Sequence, residues 1–253
     1  MNINDLRRKS AKEGIPQAML EKDYVLSVVL NEISKSKIKN SLVFKGGTAI
    51  KKVYFAEARF SEDLDFTVIN IDKETIVKEL NIIFENKDIG GVKFEGVKGE
   101  KTTAGLRASL KFIFLLNQPQ RILFDFSFRN NLVLEPVEKE VVDSYLIGKT
   151  SVKVLSLEEL FAEKIHAAIS RTVARDLYDI WFLMRKEVKL DTMLIGKKFS
   201  YYDEKFELKM IVVKIDDFRL KWNQDLRQLL KVVPDFDDIK KEILERLGEE
   251  VRK

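Results

Sequence analysis

The sequence has 253 residues, 45% hydrophobic and 34% charged, and its 45 Lys and Arg against 41 Asp and Glu leave a formal charge of +4. That length buries a substantial core as one large domain or two modest ones, and so slight a charge permits nucleic-acid binding only through a local basic patch. The absence of cysteine excludes disulfides and thiolate metal sites. No apolar run approaches the roughly eighteen residues of a membrane span, and residues 1–8 lack the apolar stretch of a secretory signal, so a cytoplasmic protein without membrane partners is expected.

In chain order, Pro16 opens a helix over 17–34 whose apolar positions include Met19, Leu20, Leu26, Val29, Leu30 and Ile33. Glu21, Lys22 and Asp23 interrupt that pattern and read, on residue type alone, as a solvated face. A short strand over 42–44, a Gly46-Gly47 turn, a helix over 48–55 and a strand over 63–69 follow. An amphipathic helix over 73–86 ends at Gly90-Gly91. Strands are then expected over 92–97, 106–115, 121–129 and 132–137, with a hairpin-like turn at 117–120. From Ser156 the pattern becomes helical, beginning over 157–170 with a serine cap and acids in the first turn. Further helices are expected over 192–199, 203–211, 216–232 and 236–251. The change of character divides a mixed α/β domain, 1–150, from a helical domain, 151–253.

Asp63 and Asp65 stand two apart, so in an extended strand both side chains point to one face. Two carboxylates projecting together repel unless a cation sits between them. Oxygen-only ligation of that kind suits Mg²⁺ held by one or two carboxylates plus substrate phosphates. Gly46, Gly47 and Thr48 offer backbone N–H groups at a helix N-terminus, the favourable end for an anion. The same three residues also make an ordinary strand-to-helix turn with a threonine cap, and the Gly-x-x-x-x-Gly-Lys pattern of a P-loop is absent. Lys45 and Lys51 read either as phosphate contacts or as surface solvation. Asp125 lies among Ile122, Leu123, Phe124, Phe126 and Phe128, apolar on both parities of the strand. A buried carboxylate costs several kcal/mol, on the order given for desolvated ions, unless paired or metal-bound. Asp125 is therefore expected to join Asp63 and Asp65 rather than to face solvent on an edge. Three such acids can hold two Mg²⁺ ions; the competing reading is acids that protect an edge strand from aggregation.

Ser61 reads as a turn residue rather than a nucleophile, because no histidine lies near it. His166 is the single histidine and sits in an apolar helix, as a core residue or a support beneath a site. On a continuous helix Lys164, Arg171, Arg175 and Asp179 would share one face, whereas a break near 172–173 would make a helical hairpin. Asp176 and Asp179 fall in an apolar stretch, so some of these charges should pair internally. Cations there could bind a triphosphate beside the acids, or form a solvated basic stripe.

The run Phe-Lys-Gly-Gly-Thr-Ala-Ile at 44–50 and the run Arg-Phe-Ser-Glu-Asp-Leu-Asp-Phe at 59–66 together resemble the nucleotidyltransferase signature of the DNA polymerase β-like superfamily. The spacing between Thr48 and Asp63 is long for it. More closely, the chain resembles the AbiEii family of toxins from abortive-infection and toxin–antitoxin pairs. That resemblance adds Glu21-Lys22-Asp23-Tyr24, Phe124-Asp125-Phe126-Ser127 and the run from Ala162-Glu163-Lys164 through Arg171 to Arg175-Asp176-Leu177-Tyr178-Asp179, and so covers about residues 15–186. It implies a nucleotidyltransferase-like mixed sheet flanked by helices, a helical C-terminal domain, and an active site in the cleft between them. The implied activity is metal-dependent transfer of a nucleotide from an NTP to an acceptor, which in relatives can be the 3′ end of tRNA. By position, Asp63 and Asp65 bind Mg²⁺ or Mn²⁺, and Asp125 completes the set or deprotonates the acceptor hydroxyl. Gly47 and Thr48 hold phosphates, with Lys45, Gly46 and Ser61 beside them. Lys164 contacts the nucleotide, flanked by Arg171 and Arg175, and Asp176 or Asp179 supports the late motif. A separate antitoxin protein is the implied partner. Transfer to a protein or a small molecule is the second reading. A nucleotide- or RNA-binding module without turnover is the third, and three intact acids argue against it.

Overall fold

The computed structural model describes residues 1–103 and 105–251, and the chain falls into two units, Met1–Leu155 and Ser156–Lys253. The first carries an eight-stranded mixed sheet, in the spatial order β3-β4-β5-β6-β2-β1-β8-β7. Its strands are β1 (Leu42–Lys45), β2 (Asp63–Val68), β3 (Asp88–Ile89), β4 (Val92–Lys101), β5 (Gly105–Ile113), β6 (Gln120–Ser127), β7 (Val137–Glu140) and β8 (Ser151–Val154). β2 runs parallel to β6 and β1 parallel to β8, while the remaining pairs are antiparallel.

Alternation gives the central strands two unlike faces. On one face Phe44, Phe66, Phe126 and Leu106 lie in register across β1, β2, β6 and β5 and are buried. The Phe44 and Phe66 rings are 5.3 Å apart, and Phe66 and Phe126 5.6 Å. Helices α2 (Gln17–Lys35) and α4 (Lys73–Phe84) belong to the same unit. α4 packs on β4 and β5, and α2 on α4 and β8. Helix α1 (Ile3–Glu13), for which no helix was expected, lies against α2 and begins with an Asn2–Asp5 capping box. After β1 comes α3 (Gly46–Ala49), which continues as a π-helical turn over Ile50–Tyr54 closed by the Phe55 N–H donating to Ile50 O at 2.8 Å.

The strand expected over 132–137 is corrected: residues 131–136 are irregular, and β7 begins at Val137. Pro136 explains the shift, since it has no N–H for a ladder. β8 was not expected at all; it is four residues long and earns its place by pairing with both β1 and β7.

The second unit contains α5 (Leu157–Ser170), α6 (Ala174–Arg185), α7 (Thr192–Ser200), α8 (Lys209–Lys214), α9 (Trp222–Leu226) and α10 (Phe236–Val251). Ser156 caps α5 by accepting from the Glu159 N–H at 3.2 Å. α5 and α6 are separate helices, because Arg171 and Val173 are extended, so the hairpin reading is the observed one. The helix expected over 203–211 is replaced by an irregular turn and the later α8. Asp203 adopts φ 58°, and the chain folds back so that Phe206 rests 5.1 Å from the Phe199 ring. The helix expected over 216–232 is instead a 3-10 stretch, Ile215–Lys221, followed by α9. These short turns seat Phe218 and Trp222 in the core, and the Trp222 indole donates to Pro234 O at 2.9 Å.

Lys198 of α7 is buried against two acids of α5, 2.5 Å from Glu159 and 3.2 Å from Glu163. Removing the cation would take the Lys198 countercharge from the buried Glu159 carboxylate. Lys198→Met is expected to cost about 3–5 kcal/mol, the range for breaking a buried pair, measured as a lower urea midpoint. An unchanged midpoint would show that the pair carries no stability.

Candidate active site

The face opposite the phenylalanine row carries charge. Lys45 pairs in register with Asp65 across β1 and β2, Asp65 with Asp125 across β2 and β6, and Asp125 with Arg107 across β6 and β5. Residues directly opposite in paired strands project to the same face, so Asp65 and Asp125 stand side by side, with Asp63 two residues before Asp65 on that face. Asp125 is not buried: its side chain is 54% exposed and lies 3.5 Å from the Arg107 guanidinium. Asp125 does stand beside Asp65, but the expected burial is absent, because Leu123, which made the strand look apolar on both parities, is itself 50% exposed. Among the described residues no three acidic or metal-ligating side chains gather closely enough to hold a metal ion. The donor set still fits Mg²⁺ or Mn²⁺, as neighbouring carboxylates completed by phosphate and water rather than a closed three-acid cage.

The double-glycine turn is fitted to its neighbours. Gly46 has φ 77°, and a Cβ there would overlap the Asp65 carboxylate. A Cβ on Gly47 would lie 2.7 Å from the Arg59 guanidinium and 3.4 Å from Ser61 Oγ. Arg59 and Ser61 are both buried, and Arg59 donates to Phe60 O at 3.0 Å. The Thr48 hydroxyl donates to Asp63 O at 2.5 Å, which ties the turn to the first residue of the acidic strand. Thr48 thus braces Asp63 through its side chain. Lys51 donates to Ala56 O and Ala58 O, both at 2.9 Å, and lies over the Phe60 ring.

The charged interruption in α2 is not a solvated face. Glu21 and Asp23 are buried, and four successive side chains grip four separate segments. Glu21 accepts from the Leu116 N–H at 2.8 Å and from the Gln120 side chain. Burial raises the Glu21 pKa, against the opposing pull of the backbone N–H groups of Leu116 and Leu115. Lys22 pairs with Glu62, next to Asp63, at 3.1 Å. Asp23 pairs with buried Lys52 at 2.8 Å and accepts from the Tyr145 hydroxyl at 2.6 Å. Tyr24 donates to Gly90 O at 3.0 Å and stacks on Phe114. Burial pushes the Asp23 carboxyl up, but the Lys52 charge and the bonds from Lys52 and Tyr145 outweigh it and hold it below the ordinary carboxylate range. The Lys52 and Tyr145 partnership was missed in the sequence, because nothing local links positions 23, 52 and 145.

In the second unit Lys164 is buried between Asp176, at 3.1 Å, and Asp179, at 2.8 Å. Arg171 closes on Asp176 from outside at 2.9 Å. Burial would raise the Asp176 carboxyl, but Lys164 and Arg171 keep it below its ordinary value. The half-exposed Arg175 side chain makes no hydrogen bond or ion pair among the described residues. The hairpin therefore gathers Lys164, Arg171, Asp176 and Asp179 and leaves Arg175 out. His166 stacks on Tyr202 with ring centres 4.1 Å apart and approaches Glu204 at 3.3 Å, inside the packing of that unit.

The first unit is a mixed sheet flanked by helices, with an acid-x-acid strand following a double-glycine turn. The fold is similar to that of MenT4, a nucleotidyltransferase toxin from Mycobacterium tuberculosis, with a TM-score of 0.73, 21% identity, and coverage of 98% of this chain and 88% of that one. Residues 28–242 match the family described as nucleotidyl transferase AbiEii toxin of type IV toxin–antitoxin systems, and the chain belongs to that family. Among curated proteins none matches the chain by sequence. No helix among the described residues is long and apolar enough to cross a membrane.

Two outcomes follow from the packing of this site. Gly46→Ala forces a Cβ into a left-handed backbone against Asp65, at a cost of roughly 1–3 kcal/mol, seen as a lowered thermal midpoint; a midpoint matching wild type would show that the turn is not constrained. Burial lowers the Lys51 pKa from 10.5 to about 8. Between those values the unfolded chain holds the proton that the folded one has released, so stability rises with pH. Denaturant titrations from pH 8 to 10.5 should show a smaller rise for Lys51→Met than for wild type, and equal slopes would rule out the shift.

Proposed function

We propose that the protein transfers an NMP group from an NTP to an RNA acceptor, with the 3′ end of tRNA as the intended site, and that this transfer is the toxic act of a toxin–antitoxin pair. The observation that carries the reading is the side-by-side placement of Asp65 and Asp125, with Asp63 on the same face and the Gly46-Gly47 turn against Asp65. Asp63, Asp65 and Asp125 would hold Mg²⁺ or Mn²⁺. The bound ion would polarise the phosphoryl oxygens of the group being transferred. Asp125, half open to solvent, is also suited to take the proton of the acceptor hydroxyl. Gly46, Gly47 and Thr48, with Lys45 and Ser61, would line the phosphate side of the NTP.

In the second unit, Lys164 is the proposed nucleotide contact, and Asp176 and Asp179 hold its ammonium group in one position. Arg171 and Arg175 supply further positive charge for phosphates. Membership of the family supports an antitoxin protein as partner, and a cytoplasmic site of action agrees with an RNA acceptor.

The test is incubation with each radiolabelled NTP, Mg²⁺ or Mn²⁺ and total tRNA, beside Asp63→Ala. Label should appear on RNA and fall on the order of 10²-fold or more in the variant, the scale on which stabilisation of developing charge acts. Label on protein instead would favour a protein acceptor. NTP binding without any label would favour a binding module and overturn the proposal.

A further inference from the structure

The charged face holds one cation whose placement the transfer reaction does not by itself explain. Arg107 sits between two acids in register, Asp125 of β6 on one side and Glu100 of β4 on the other. Its guanidinium is drawn to Asp125, at 3.5 Å, although its side chain is 72% exposed and that of Asp125 54% exposed. Exposed pairs of this kind contribute little to folding. What the pair does change is the charge that an arriving cation meets. The row Lys45, Asp65, Asp125, Arg107 reads plus, minus, minus, plus, so each of the two carboxylates has a basic residue in register on its outer side.

We propose that Arg107 is a resident counter-ion of the Asp65–Asp125 pair, which a divalent metal must displace from Asp125. This rests on the metal-site reading above and adds a competitor to it. Two carboxylates side by side repel one another unless a cation lies near them; a guanidinium beside Asp125 offsets that repulsion. A divalent ion carries twice the charge and binds carboxylate oxygen directly, so it can take the position. Glu100 lies across β5 from Asp125 and offers the released guanidinium a second acceptor without a change in the backbone. Arg107 is thus a positioning residue that sets how tightly the site takes metal before substrate arrives.

The measurement is Mn²⁺ binding to the full chain without NTP, followed by loss of the free-ion signal in electron paramagnetic resonance. Arg107→Ala should bind Mn²⁺ about three- to ten-fold more tightly than wild type, the effect expected from removing one positive charge near a divalent ion at high effective dielectric. Arg107→Lys should remain near wild type, and thermal midpoints should stay together because both side chains are exposed. A purely structural role could only weaken binding. Asp65→Asn separates the two claims. If it abolishes binding while Arg107→Ala equals or weakens wild type, the counter-ion role is overturned and the metal site stands. If neither wild type nor Arg107→Ala shows Asp65-dependent Mn²⁺ binding without NTP, the counter-ion role is overturned, and the metal site is decided separately by the metal dependence of the labelling reaction.

Discussion

The strand register across β1, β2, β6 and β5 is the constraint on which the site depends. Side chains alternate with a period of two, so a slip of one residue would carry Phe66 and Phe126 to the charged face and Asp65 and Asp125 into the core. The aromatic row makes that slip prohibitive. Burial on one face therefore determines which carboxylates meet on the other, even though Asp65 and Asp125 repel each other across β2 and β6. The parallel arrangement of β2 and β6 matters in the same way, since it brings together two acids that lie far apart in the chain.

Around that sheet, α2 acts as a clamp. Its four consecutive polar side chains reach the β5–β6 turn, the residue before Asp63, the π-helical turn and the β3–β4 turn. Each contact is long-range in sequence, and two of the four side chains are carboxyl groups taken out of water. Such groups are costly unless their partners are well placed, so α2 has a narrow choice of positions. The second unit uses a related device, in which one lysine is fixed by two aspartates on the next helix of a hairpin.

Much of this was readable in the amino-acid sequence, for definite reasons. The acid-x-acid strand and the glycine turn are local patterns, and the limits of α5 and α10 followed from a serine cap and from a proline break. The strand of Asp125 is legible and its exposure is not, because an exposed Leu123 is indistinguishable from a buried one in a sequence. Glu21 and Asp23 were read as solvated, because their partners at positions 52, 116, 120 and 145 are joined to them only by the fold. Short elements failed where tertiary packing overrides propensity: β8 exists through its two neighbours, and the segment after α7 follows Phe206 onto Phe199 rather than forming a helix. Arg107 carried no signal, since one arginine in a strand of mixed polarity looks like any other.

The π-helical turn over Ile50–Tyr54 sets a limit on how this chain can vary in length. Such a turn amounts to one residue added to an α-helix, and here it sends Lys51 toward the Ala56–Ala58 loop while Lys52 enters the pocket around Asp23. Deleting a single residue would restore a regular helix and rotate everything after it by about 100°. Neither lysine could then keep its partner, and the loop leading to Asp63 would start from a different direction. Substitutions at the surface of this helix are tolerable, but a change of length is not, so among descendants of this chain this segment should vary in residue type without gaining or losing positions.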